Sequence, residues 1–132
     1  MAKPEVRRRY APATVVKAVA ADLGLPHDDQ MQDPDIELAN SGRLDDFVEY
    51  FLSTEPDSDE RLFVGELLIG SLDDLLNLKC SDRYVDAVRE LLLENYSLFR
   101  GAIYYWARAD VNEPDEEFAV TMIMRDIIRD AE

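Results

Sequence analysis

This sequence has very little of the two side chains on which most metal sites and many nucleophilic active sites depend. It contains one cysteine, Cys80, and one histidine, His27. A lone cysteine cannot form a disulfide within the chain, and a zinc site built on thiolate or imidazole needs several such ligands at close spacing. The chain also has no Gly-x-Ser-x-Gly elbow, and its five glycines do not cluster into a phosphate-binding loop. We therefore expect neither a cofactor nor a bound metal ion.

Long apolar runs are missing as well. The longest nearly apolar stretches, such as LLIG and ELLL, fall far short of the roughly 20 residues that a membrane span requires. The N-terminal segment has basic residues, but no apolar run follows them as it would in a secretory signal. The sequence predicts a cytoplasmic protein that makes no contact with a membrane.

Basic residues are scarce relative to acidic ones. The chain has 29 Asp and Glu residues against 14 Lys and Arg residues, for a net charge of -15. A surface of this charge repels nucleic acids and anionic membranes, and it attracts basic proteins. We therefore expect no direct binding to nucleic acid, and we expect the partner to be a basic protein.

The charge is unevenly distributed along the chain. Between Pro26 and Glu60 there are twelve acidic residues and a single basic one, Arg43. The first ten residues are instead basic, with one lysine and three arginines against one glutamate. A chain end of this composition is typical of a frayed segment. We predict a basic, flexible N-terminal tail over residues 1–11 and a single helical domain over residues 12–132.

The fold class follows from the spacing of the apolar residues. They recur mainly at helical intervals, and no segment shows strand alternation bounded by turn signals. The length of 132 residues, with 47% apolar content, is about one domain's worth. The sequence predicts an all-α fold, a compact single-domain bundle of about five to six helices around a central apolar helix. The six longer predicted helices span approximately residues 12–23, 43–53, 59–79, 82–95, 98–108 and 114–130, and Asp33 before Pro34 also allows a short helix over residues 34–40.

The predicted central helix, residues 59–79, has apolar residues on nearly every side. A helix of this kind is covered by neighbours on most of its surface. Two glycines, Gly65 and Gly70, lie inside it, and each costs about 1 kcal/mol relative to alanine in a helix interior. We expect them where the backbone of a neighbouring helix comes close.

The segment FRGAIYYWARAD, residues 99–110, combines aromatic and cationic side chains. At helical spacing Trp106 falls on the core side, whereas Arg100, Tyr104 and Arg108 fall on the opposite side. Each arginine is then placed to lie over the tyrosine ring, and Tyr105 sits at the boundary of the two faces. Tyrosine and arginine dominate the energies of protein interfaces, so this strip is a candidate contact site.

These features together favour a non-catalytic acidic interaction domain that binds a basic partner, in an immunity-like, antitoxin-like or regulatory role. Small acidic bacterial immunity proteins, antitoxins and nucleic-acid mimics are similar to this chain in size and charge. The partner-binding residues that the sequence predicts are Arg100, Tyr104, Tyr105, Arg108, Asp45, Asp46 and Glu49.

Three other interpretations stay open. The first is an all-α hydrolase that uses carboxylates and a divalent metal ion. SLDDLLN, with Asp73, Asp74 and Asn77, resembles in spacing the aspartate-rich magnesium motif of helical terpenoid synthases, although an exposed helix edge explains it more simply. The second is a halophilic surface with no specific partner. The third is a homodimer in which the basic N-terminal run pairs with the acidic body of a second copy.

Overall fold

The computed structural model describes residues 8–78, 84–109 and 118–132. These residues form helices and connecting segments with no β-strand, which confirms the all-α prediction. There are seven α-helices in the described ranges, where the sequence predicted about five to six. They are α1 (Ala13–Leu23), α2 (Pro34–Glu37), α3 (Leu44–Ser53), α4 (Asp59–Asn77), α5 (Val85–Glu94), α6 (Tyr96–Trp106) and α7 (Thr121–Ala131). A single 3-10 turn, Ser41–Arg43, precedes α3.

Helix α4 is the centre of the bundle, as its apolar composition predicted. It contacts α1, α2, α3, α5 and α6, and every residue from Leu62 to Asp73 is buried. Ser58 begins the helix, since its side-chain oxygen accepts a hydrogen bond from the Arg61 backbone N–H at 3.1 Å. Helix α7 packs against α5 and α6.

Arg61 joins three parts of the bundle near the start of α4. Its guanidinium donates to the carbonyl oxygen of Thr54 at 2.8 Å, just beyond the end of α3, and to the side chain of Asn95 at 3.1 Å, between α5 and α6. It also lies over the ring of Phe51, 4.7 Å from the ring centroid. The carbonyl groups at the end of α3 are thereby satisfied by a charged donor from another helix.

Helix α7 begins later than the sequence predicted. Residues 110–117, which hold the predicted turn and the predicted helix start, lie outside the described ranges. Residues 118–120 are described and are not helical, so the predicted span of 114–130 is wrong over these residues. The backbone N–H of Val120 donates instead to the carboxylate of Asp73 at 3.1 Å, and that of Phe118 donates to the hydroxyl of Thr121 at 3.0 Å. A side chain from α4 therefore caps the start of α7.

The expectation of an exposed helix edge is confirmed for Asp74 and Asn77 and is wrong for Asp73. Asp73 is buried, whereas its neighbour Asp74 is exposed. The carboxylate of Asp73 also accepts a hydrogen bond from the amide of Asn77 at 3.3 Å. The hydrogen bond from Val120 makes Asp73 a structural cap, and it connects α4 to the start of α7 through two residues that are 47 positions apart in sequence.

Removal of this cap is expected to weaken the fold. The Asp73→Ala variant should lose about 1–2 kcal/mol of unfolding free energy, because the buried N–H of Val120 loses its acceptor. The Asp73→Asn variant keeps an acceptor oxygen and should lose less. Urea denaturation measures both, and Asp74→Ala serves as the control, since Asp74 is exposed in the same turn. Equal losses for Asp73→Ala and Asp74→Ala would contradict the capping role.

The two glycines of α4 make room for different groups. At Gly70, a β-carbon would lie 3.0 Å from the backbone oxygen of Asp35, so the expected close approach of a neighbouring backbone is confirmed there. At Gly65, a β-carbon would lie 2.1 Å from the ring of Phe99 in α6. The expectation for Gly65 was therefore wrong, because the group that comes close is a side chain and not a backbone.

The N-terminal segment is placed on the body of the protein from its first described residues onward. Arg8 and Arg9 both form ion pairs with acidic residues of the helical body. Residues 1–7 of the predicted tail lie outside the described ranges, and the domain boundary at residues 11 and 12 stays a prediction. Within the described ranges, no helix has both the length and the apolar character required to cross a membrane.

Candidate functional site

The first pair of predicted contact residues, Arg100 and Tyr104, lies together on α6. The Arg100 guanidinium lies over the Tyr104 ring, 5.3 Å from its centroid. Both side chains donate hydrogen bonds to the carboxylate of Glu132, Arg100 at 3.1 Å and Tyr104 at 2.7 Å, and Tyr96 donates to the same carboxylate. The hydrogen bonds from Tyr96 and Tyr104 lower the pKa of Glu132 to about 2. The strip is thus already engaged by an acid from the end of α7.

The other two predicted contact residues on this segment, Tyr105 and Arg108, contact different groups. Arg108 follows the end of α6 with a φ of 55°, and its guanidinium lies 6.0 Å from the Phe118 ring centroid. The expected stacking of Arg108 on Tyr104 is therefore wrong, because helical geometry stops before residue 108. Tyr105 is 43% exposed, and the guanidinium of Arg8 lies 4.7 Å from its ring centroid.

The three predicted acidic residues share the outer side of α3. Asp45, Asp46 and Glu49 are exposed, and we call them the α3 acidic face. The opposite side of the helix is buried through Leu44, Phe47 and Phe51, which fixes the outward direction of the carboxylates. Asp46 accepts a hydrogen bond from Arg43 at 2.6 Å, three residues earlier on the same surface.

Beside the α3 acidic face is an open depression of 360 Å³. Tyr50 lies in it and donates a hydrogen bond at 2.9 Å to Asp22, at the end of α1. Burial and this carboxylate raise the pKa of Tyr50 to about 12. The depression is lined by Asp22, Leu23, Arg43, Asp46, Glu49, Tyr50 and Ser53. Sequence reasoning did not associate Asp22 with this surface, since the contact depends on how α1 and α3 are packed.

A second group of charges was not predicted at all. One terminal nitrogen of Arg8 lies 3.1 Å from the carboxylate of Asp35 in α2 and 3.1 Å from that of Glu66 in α4. We call these three residues the Arg8 cluster. Their side chains are only 15%, 13% and 6% exposed, respectively. The close approach of α2 to α4 at Gly70 brings the two carboxylates to the same place.

Burial and the neighbouring charges in the Arg8 cluster shift the pKa of Glu66 far from its ordinary value. Burial raises the pKa of Glu66, Arg8 opposes this shift and the nearby Asp35 adds to it, and the net result is a pKa of about 7. Burial by itself would lower the pKa of Arg8, but the Glu66 and Asp35 carboxylates raise it overall. Arg8 is therefore cationic throughout, and Glu66 changes its charge near neutral pH.

Glu66 is also at the wall of a cavity with a volume of 410 Å³. Its Oε1 atom is buried and has no hydrogen-bond partner among the described residues, and the same is true of Nε of Arg8. The cavity is lined by Tyr10, Ala11, Ala13, Thr14, Val16, Lys17, His27, Asp29, Met31, Gln32, Pro34, Asp35, Phe63 and Glu66. The chain's one histidine thus faces the same space as Glu66.

Neither region assembles a metal centre. In the ranges that the structure describes, no group of three or more His, Cys, Asp or Glu side chains is placed to hold a metal ion. Comparison of the chain with protein-family models, with curated proteins and with solved structures found no match. The function must therefore be inferred from these two regions and their chemistry.

Proposed function

We propose that this protein is a non-catalytic acidic interaction domain that binds a basic partner protein through the α3 acidic face. The observation that carries the proposal is the exposure of Asp45, Asp46 and Glu49 on one side of a helix whose other side is fully packed. Immunity-like, antitoxin-like and regulatory roles would all use such a surface.

The depression beside the α3 acidic face supports the proposal. Asp22, Asp46 and Glu49 surround a space of 360 Å³, which suits the head group of a lysine or arginine from the partner. Tyr50 contributes an aromatic surface there, of the kind that cations bind and that interfaces favour. Charge would speed the encounter, and the depression would hold one basic side chain.

The net charge of -15 sets the expected behaviour of the complex. Association with a basic protein should be fast at low ionic strength and should slow as salt is added, because salt screens exposed charges over about 10 Å at 0.1 M. The same charge opposes direct binding to nucleic acid. Arg100 and Tyr104 would contribute less to such an interface, since both already bond to Glu132.

The test is the loss of binding when the α3 acidic face is neutralised. The partner is captured at low salt and identified, and the Kd of the purified pair is then measured by calorimetry at several salt concentrations. The triple variant Asp45→Asn/Asp46→Asn/Glu49→Gln should bind at least about tenfold more weakly, a loss of about 1.4 kcal/mol. Its affinity should also depend less steeply on salt.

A matched control separates this surface from net charge alone. Asp86, Glu90 and Glu94 are exposed on α5, a helix that packs against α7. Their neutralisation removes three negative charges, the same number as in the first triple variant. The Asp86→Asn/Glu90→Gln/Glu94→Gln variant should bind within about threefold of the unmodified protein. Equal weakening by both triple variants, or a Kd that salt does not change, would contradict the proposal.

A further inference from the structure

The cavity next to the Arg8 cluster combines an apolar wall with a buried acceptor. Val16, Met31 and Phe63 contribute apolar surface to it, and Glu66 contributes a carboxylate. Glu66 is 4% exposed, and its Oε1 atom has no hydrogen-bond partner among the described residues. A buried acceptor without a donor costs free energy unless a ligand or a solvent molecule supplies one.

The charges around the cavity favour a positively charged donor. Arg8 from the N-terminal segment and Lys17 from α1 are the cations, and Asp29, Asp35 and Glu66 are the carboxylates. With all of them ionised, the site has one negative charge in excess. One monovalent cation would therefore neutralise it, whereas an anion would meet two fixed carboxylates beside Arg8.

The volume and walls indicate what kind of cation. At 410 Å³ the cavity is within the usual range for small-molecule sites, about 300–1,000 Å³. The described residues offer no group of three ligands for a metal ion. An organic cation with an apolar stem would instead use both the carboxylate and the apolar wall.

We infer that this cavity binds a small organic ammonium ion, with its N–H group donating to Oε1 of Glu66 and its apolar stem against Phe63, Met31 and Val16. This site is distinct from the α3 acidic face, because the two have no lining residue in common. The inference therefore does not depend on the proposed function.

The charge state of Glu66 gives the site a pH dependence. A cation binds the ionised carboxylate, and Glu66 has a pKa of about 7 because of burial and the neighbouring Asp35. Affinity should accordingly rise about tenfold between pH 6 and pH 8. His27, Lys17, Asp29 and Tyr10 also face the cavity, so the variant of Glu66 is needed to assign this dependence.

The experiment uses hexylamine as the probe, and calorimetry at pH 8 as the measurement, on the full chain. Two comparison probes separate the contributions: hexanol has the stem without the charge, and hexyltrimethylammonium has the charge without an N–H donor. Hexylamine should bind at least about tenfold more tightly than either. Equal affinity for hexylamine and hexanol would overturn the inference.

Variants assign the binding to Glu66. The Glu66→Gln variant removes the ionisable group and keeps nearly the same side-chain shape, and it should weaken hexylamine binding at least about tenfold and abolish the rise with pH. Asp29→Asn on the exposed rim should weaken it less than about threefold. His27→Gln should preserve the pH dependence. Unchanged binding in Glu66→Gln would overturn the inference.

Two further binding measurements distinguish this site from other binding modes. The Asp45→Asn/Asp46→Asn/Glu49→Gln variant should bind hexylamine normally, so failure of the amine site and failure of the partner surface can be told apart. Nα-acetyl-lysine amide presents the same ammonium group on a peptide. If this compound bound tenfold more tightly than hexylamine, the result would overturn the small-molecule assignment in favour of a lysine side chain.

Discussion

Replacement of Gly65 with alanine is expected to destabilise the protein by about 3 kcal/mol, although alanine is the better helix former by about 1 kcal/mol. A β-carbon at this position would lie 2.1 Å from Phe99 Cζ, well inside van der Waals contact. The ring cannot move away easily, because Phe99 is fully buried and stacks on Phe51 with 5.9 Å between ring centroids. Chemical denaturation and the Tm should both report the loss, the latter as a fall of about 10 °C.

The decisive result for Gly65→Ala is whether the free energy of unfolding falls or rises. If α6 did not pack this closely on α4, alanine would stabilise the helix, and a stabilised variant would contradict the packing described here. A double-mutant cycle tests the contact itself. The Gly65→Ala/Phe99→Leu variant should be more stable than the sum of the two single changes predicts, because the smaller side chain leaves room for the new methyl group.

Removal of Arg8 is the second change with a large expected effect. The Arg8→Ala variant should lose about 3 kcal/mol at pH 8, because two largely buried carboxylates are left without their cation. The loss should be smaller at pH 5. Arg8 opposes the upward shift in the pKa of Glu66, so without it the folded state holds the proton of Glu66 to a still higher pH. A group whose pKa is raised on folding removes stability as pH rises, so the penalty grows with pH.

Arg9 provides the control for this prediction. Its side chain is 47% exposed and pairs with Asp59 at 2.6 Å on the surface. Exposed pairs contribute about 0–1 kcal/mol, so Arg9→Ala should change the unfolding free energy by less than about 1 kcal/mol at either pH. Urea denaturation at pH 5 and pH 8 measures both variants. A small, pH-independent loss for Arg8→Ala that equals that of Arg9→Ala would show that the N-terminal segment does not dock on the bundle in solution.

The helices were predictable because helix formation leaves a local signal. The run of apolar residues in α4 predicted both its length and its central place, and Gly24 predicted the end of α1, where it has a φ of 67°. The start of α7 was not predictable by the same logic. Its cap is Asp73, 47 residues away, so the acidic residues near position 115 gave a local signal for an earlier start than the structure has.

In the candidate sites, too, the local features were predictable from the sequence and the long-range contacts were not. The outward direction of Asp45, Asp46 and Glu49 follows from helical periodicity alone, and the structure places all three on the surface. The interaction of Arg100 with Tyr104 is equally local, and it is confirmed. Their bonds to Glu132 could not be predicted, since the two partners are 32 and 28 residues from it in sequence.

The sequence by itself determined the helical class, the central place of α4 and the strongly negative surface, because periodicity and composition act over a few residues or over the whole chain. Only the tertiary structure decided which charges become buried together. Arg8 meets Asp35 across 27 residues and Glu66 across 58, through a close helix contact that Gly70 permits. Pairing between charges depends on distance in space, and distance in space is set by how the helices pack.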